Sequence, residues 1–185
     1  MDATPAADDD ELALARRLLA GDRQAADRLV ELTYERTYAA LRKLCGDGDL
    51  AADLTQETYR KAWASLASFR GDCLFSTWLY RIAYNTFLSH LRRPRPLPLD
   101  DAPPPIDPSP DAENRASRAQ ERGRLRRAVL ALPEPLRFAV TARYWAGLTS
   151  PEIARLEGVS PVGARKRLLR ALSSLERTLV SEVSR

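Results

Sequence analysis

Residues 75–93, FSTWLYRIAYNTFLSHLRR, contain neither glycine nor proline and read as one uninterrupted helix. At about 100° per residue, Trp78, Leu79, Ile82, Ala83 and Thr86 fall on one side. Tyr80, Tyr84, Phe87 and Leu91 fall on the opposite side, and Arg81, Asn85, Ser89 and Arg92 form a narrow polar strip between them. Two readings fit this helix. Apolar on two flanks, it is the central member of a bundle. Alternatively its rings stack on unpaired bases, at roughly 1–3 kcal/mol each, with arginine on phosphate and an amide at a base edge. The preceding turn, FRGDCLFS (69–76), then walls a pocket for a base rotated out of its stack.

Working outward toward the N-terminus, the chain continues as helices. A first helix is expected from about Asp10 to Ala20, with Gly21-Asp22 ending it and capping the next. Leu29, Leu32, Tyr38, Leu41 and Leu44 follow at helical spacing. The turn GDGD (46–49) offers Asp49 as an N-cap for a third helix over LAADLTQETYRKAWASL, residues 50–66. Toward the C-terminus, eight of the 13 prolines lie between Pro94 and Pro110. Proline removes a backbone donor and pushes its predecessor out of the helical region, so residues 94–112 read as a linker. At about 3.1 Å per residue it spans up to roughly 60 Å.

Beyond the linker a helix is expected near Ala112–Leu132, broken by Pro133 and Pro135, and another runs to about Trp145. Thr149 with Glu152 makes a capping box, Gly158 a tight turn, and Ser160 an N-cap followed by Pro161. Two short helices around a glycine turn, the second carrying Arg165, Lys166, Arg167 and Arg170, form a helix-turn-helix pattern. Ala164, Leu168 and Leu172 are its expected core stripe. The fold class is therefore all-α, with two helical domains, 1–93 and 113–185, joined by the proline-rich linker 94–112.

Charge is divided unevenly. Residues 1–93 hold 13 basic and 14 acidic side chains, 94–112 hold one and four, and 113–185 hold 15 and seven. So basic a C-terminal third suits a polyanion, because each cation that meets a phosphate releases a counterion. No apolar run reaches the roughly 20 residues of a membrane span. The acidic N-terminus does not read as a signal peptide. Cys45 and Cys73 lack metal-type partners and read as free thiols in a reducing, cytoplasmic setting. No phosphate-cradling GxxxxGK loop occurs. His90 is the only histidine and joins no nucleophile–base set, so neither catalysis nor a metal, cofactor or small-molecule substrate is expected.

Three stretches carry a resemblance. DLTQETYRKAW (53–63), FRGDCLFSTWLYRIAYNTFLSHLRR (69–93) and LPEPLRFAVTARYWAGLTSPEIARLEGVSPVGARKRLLRAL (132–172) together resemble an extracytoplasmic-function sigma factor of the sigma-70 family. The resemblance implies that Asp53, Gln56 and Glu57 contact the β′ clamp coiled coil of core RNA polymerase. It implies that Asn85 and the loop Phe69, Arg70, Gly71, Asp72, Phe75 and Ser76 hold a flipped base of the −10 promoter element, with Arg81 and Arg92 alongside on the strip. It implies that Ser160, Arg165, Lys166 and Leu169 face the −35 element, with Arg167 and Arg170 on phosphates. The C-terminal domain of such a protein also packs on the β flap tip, and an anti-sigma factor commonly restrains it. Ser89 departs from the family's usual acidic or amide residue, and Val162-Gly163 from its usual glycine-threonine. The competing reading is a free-standing helix-turn-helix regulator, which leaves the residue 53–57 face and the aromatic helix without a task.

Overall fold

The protein's structure, a computed structural model, describes residues 5–93 and 112–183. The predicted linker lies outside the described residues, except for Ala112, which opens a helix. Eight α-helices and a single 3-10 turn make up the described residues: α1 (Pro5–Leu19), α2 (Arg23–Cys45), α3 (Gly48–Ala64), the turn Leu66–Ser68, α4 (Phe75–Arg92), α5 (Ala112–Ala131), α6 (Glu134–Tyr144), α7 (Ser150–Glu157) and α8 (Pro161–Val183). None is long and apolar enough to cross a membrane.

Local chemistry sets the breaks. Asp22 is extended and accepts from the Gln24 and Ala25 amides at 2.9 and 3.4 Å, which caps α2. Gly46, at φ 77°, ends that helix in the left-handed region where a side chain would be strained. The cap of α3 is Asp47, not Asp49. Asp47 holds the extended conformation and accepts the Leu50 amide at 2.9 Å, while Asp49 already lies in the first turn, where its charge favours the helix dipole.

Helix α4 is the centre of the fold. One flank joins α1, α2 and α3 in a core with Leu29, Tyr59, Phe69 and Phe75, where Phe75 and Leu79 are fully buried. Trp78 lies on that flank with its ring 5.2 Å from that of Phe69. The opposite flank, Tyr80, Tyr84 and Phe87, is also buried, and against it sit Phe138 and Ala142 of α6 and Ile153 of α7. The bundle reading of the aromatic helix is therefore the one the structure adopts, and the rings of Tyr80, Tyr84 and Phe87 are not presented for base stacking in this arrangement. Phe138 meets the Tyr84 ring edge-on at 4.9 Å and the Tyr80 ring at 5.8 Å. The Tyr80 hydroxyl donates to Thr141 at 2.9 Å, and Arg137 donates to the Tyr84 hydroxyl at 3.1 Å. Burial raises both phenol pKa values, so both remain neutral hydroxyls. A third cluster ties α5 to α6 and α8 through Val129, Leu132, Val140, Ala171 and Leu175.

The expected stripe of α8 holds for Ala164 and Leu168 but fails at Leu172, which is 39% exposed. A spacing of four advances about 40° per step around a helix of 3.6 residues per turn. The buried line continues instead through Ala171 and Leu175.

Two outcomes follow. Phe138→Ala removes the ring on which both tyrosines rest and is expected to destabilise the chain by about 3–5 kcal/mol in urea unfolding. Cys73 is buried, and desolvation with the neighbouring Asp72 charge pushes its thiol up to about 11. At pH 8 roughly one thiol in a thousand is then ionised, so alkylation of Cys73 in the native protein is expected to trail that of an unfolded-chain control by orders of magnitude.

Candidate nucleic-acid interface

The helix-turn-helix is built from α7 and α8. The Glu152 carboxylate accepts the Thr149 amide at 2.8 Å and its hydroxyl at 2.6 Å, which fixes the start of α7. Gly158, at φ 63°, closes α7 and its amide donates to Ala154. Ser160 accepts the Gly163 amide at 3.1 Å and so caps α8. A Cβ on Gly163 would come within 3.3 Å of that same Ser160 hydroxyl oxygen, so glycine lets the cap sit close. Ile153, Ala154 and Ala164 are buried and lock the two helices together.

Over residues 165–170, α8 shows solvent a basic face with one apolar knob. Arg165, Lys166 and Arg170 are exposed, and Leu169 is 65% exposed among them. Cations flanking a leucine at the start of a recognition helix match phosphate grip and contact with a base methyl group. Arg167 differs from its neighbours. It turns toward α7 and its Nη1 donates to Glu157 at 2.5 Å.

On the other half, the predicted −10 residues separate into distinct places. Arg70, Asp72, Asn85 and Arg92 are exposed. Phe69 and Phe75 are 3% and 0% exposed and shape the loop from inside the core. Gly71, at φ 70°, makes the turn between them. Ser76 is held by α1: its amide donates to Glu11 Oε1 at 2.5 Å and its hydroxyl to Glu11 Oε2 at 3.1 Å. A cleft of about 830 Å³ opens beside this loop, lined by Gly71, Asp72, Ser76, Thr77 and Tyr80. Its other wall is Arg143, Thr149, Glu152 and Arg155 of the C-terminal half. Asn85 lies a turn further along α4 and does not line it.

Arg81, at the start of the polar strip, donates to Glu157 Oε1 at 2.6 Å and lies 4.9 Å over the Phe138 ring. Nearby, Thr77 donates to Glu152 at 2.5 Å. Burial works against the Glu152 charge, but the hydrogen bonds from Thr149 and Thr77 outweigh it and hold the carboxyl below its ordinary range.

The third set sits on α3. Asp53, Gln56 and Glu57, at spacings of three and four, share one helix face. Asp53 and Gln56 are exposed, whereas Glu57 is held between Arg60 and Lys61 at 2.6 and 3.4 Å. The Arg60 hydrogen bond is the main cause that lowers its carboxyl to about 2. No group of three or more potential metal ligands occurs among the described residues.

Sequence reasoning missed Glu11, Glu152 and Glu157 as partners of these sites. The contacts Glu11–Ser76, Glu152–Thr77 and Glu157–Arg81 join residues 65, 75 and 76 positions apart, and neither spacing nor composition links them. The sequence marks Glu152 only as a capping residue. Glu157 carries a faint signal, as a lone carboxylate in the basic run 153–170.

Comparison with known proteins gives a consistent result. Residues 29–96 match sigma-70 region 2 and residues 122–175 match sigma-70, region 4. The ECF RNA polymerase sigma-E factor of Escherichia coli (strain K12) is 33% identical over 175 residues, covering 88% of this chain and 91% of that protein. Among solved structures, CnrH in complex with the cytosolic domain of CnrY superposes with a TM-score of 0.68 at 24% identity, covering 93% of this chain and 98% of that one. The sigma factor RpoE in complex with the anti-sigma factor NepR from Bartonella quintana superposes at 0.55 and 22% identity, covering 83% and 95%. The two structures share the fold, and the sequence relatives carry the family: the chain belongs to the ECF sigma factors of the sigma-70 family, transcription initiation factors rather than enzymes.

Proposed function

We propose that the chain is a promoter-specificity subunit that works through three separate surfaces. The α3 face of Asp53 and Gln56, with Glu57 behind them, docks on the β′ clamp coiled coil of core RNA polymerase. The loop 69–76 and the strip Arg81, Asn85 and Arg92 of α4 capture an unpaired strand of the −10 element. The α8 face of Ser160, Arg165, Lys166, Leu169 and Arg170 reads and grips the −35 duplex, and the C-terminal domain packs on the β flap tip. Residues 1–93 and 113–185 act as the two domains, and 94–112 as the tether. The exposed cluster of Arg165, Lys166, Leu169 and Arg170 on a capped helix-turn-helix carries this reading. A cytoplasmic location agrees with such a task.

Strand opening in this reading draws on binding, with no hydrolysis step. Arginine neutralises phosphate and the loop takes a base once it leaves the stack. Restraint by an anti-sigma factor is part of the proposal. The RpoE neighbour was solved with one bound.

Two experiments test it. Replacing Asp53, Gln56 and Glu57 together by alanine is expected to lower the affinity for core polymerase by at least about tenfold, while leaving thermal unfolding of the free chain within about 1 kcal/mol. Tight, specific binding of promoter duplex by the chain without polymerase would instead favour a free-standing regulator. In reconstituted holoenzyme, Arg165→Ala or Lys166→Ala is expected to cost about 1–3 kcal/mol against the best −35 sequence and to flatten preference at one position. Arg170→Ala weakens all sequences alike and lowers the slope of log K against log salt by about 0.9.

A further inference from the structure

Glu157 ends α7, and its side chain is only 7% exposed. One of its oxygens accepts Arg81 of α4 and the other accepts Arg167 of α8. Arg81 belongs to the strip assigned above to promoter DNA, and the family resemblance sets Arg167 on phosphates. A carboxylate this far removed from water needs cationic or hydrogen-bonding partners, and here it has two guanidinium groups. The Glu157–Arg167 pair lies within the C-terminal half. The Glu157–Arg81 pair crosses between the halves, as do the hydrogen bonds Thr77–Glu152, Tyr80–Thr141 and Arg137–Tyr84.

This packing conflicts with the task. The −10 and −35 elements lie more than two helical turns apart, at roughly 34–36 Å per turn. With α7 packed directly on α4, one molecule cannot bring α4 and α8 to both elements at once. We infer that Glu157 is a latch: it shuts the C-terminal half over α4 by holding Arg81, so that DNA phosphate gains Arg81 only when the halves separate, while the same carboxylate keeps Arg167 from phosphate within the C-terminal half. The DNA part of this inference rests on the sigma-factor reading. The closure itself does not.

The test uses the full chain without polymerase. Glu157→Gln keeps the shape and removes the charge, leaving two arginines facing each other across the seam. Hydrogen exchange along residues 77–84 is expected to rise about tenfold, with a larger radius of gyration in small-angle scattering. Affinity for duplex DNA is expected to rise on the order of tenfold, and the salt slope to steepen by about 0.9, as Arg167 is released to phosphate. Arg81→Ala breaks the crossing contact from the other side while Arg167 stays paired, so exchange rises and the salt slope stays at the parent value. This second variant keeps the test decisive should Glu157→Gln fold poorly. Unchanged exchange and scattering in a folded variant would overturn the latch. Opening without a gain in duplex affinity for Glu157→Gln would overturn its guard over the DNA surface. The scattering and exchange results need no polymerase, so they stand apart from the sigma-factor reading, whose own failure is a parent holoenzyme that opens no start site.

Discussion

Helix α4 must be covered on two flanks, and the rest of the structure answers that requirement. The bundle of α1, α2 and α3 covers the flank of Phe75 and Leu79, and Leu41, Leu44, Ala51 and Leu54 of α2 and α3 cover part of the other. The rest of the surface of Tyr80, Tyr84 and Phe87 needs a further partner, and each large apolar side chain is worth about 1.5–3 kcal/mol on full burial. Phe138 and its neighbours on α6 and α7 supply the second cover. A sigma factor that opens to span a promoter gives up this contact. Some other surface must then take it over, because an apolar patch of that size is unfavourable in isolation.

The polar contacts at the seam make that exchange cheaper than a fully apolar seam would. Arg81, Thr77, Tyr80 and Tyr84 all reach across with groups that water or phosphate also satisfies. Net gain from such hydrogen bonds is modest, about 0.5–1.5 kcal/mol each, since water replaces them on opening. Their directionality fixes which face of α7 meets α4. Apolar burial thus supplies the adhesion and the Glu157, Glu152 and Thr141 contacts supply the register. Salt and competing anions act on the ionic part alone.

The helix boundaries were readable from the sequence because they depend on neighbours along the chain. Gly46, Gly158 and Ser160 act within a few residues of themselves. The cap of α3 was misplaced by two residues because the GDGD turn holds two aspartates of equal propensity, and only the backbone conformation at Asp47 chooses between them. Leu172 was misassigned because a strict spacing of four drifts around the helix. The exposed faces of α3 and α8 were readable for the same local reason. The cross-half partners were not. Arg81 and Glu157 are 76 residues apart, and the pairing of one basic strip with one particular carboxylate is a property of packing, invisible to periodicity. The dual flank of α4 was visible as a pattern, but the sequence alone left a bundle neighbour and a nucleic acid equally able to fill it.

The closed arrangement does not silence every DNA contact. Arg165, Lys166, Leu169 and Arg170 remain exposed on α8 while Arg167 is held by Glu157. On α4, Asn85 and Arg92 remain exposed while Arg81 is held. Each surface therefore loses one cation and keeps the rest. For the duplex reader this removes about one counterion's worth of salt-dependent affinity, a graded loss. For the proposed strand-capturing strip the loss is greater, because Arg81 is one of its two cations and the loop 69–76 shares its cleft with α7. In the proposed roles, a closed chain still offers α8 to duplex, whereas the strand-capturing strip lacks Arg81 until the halves part.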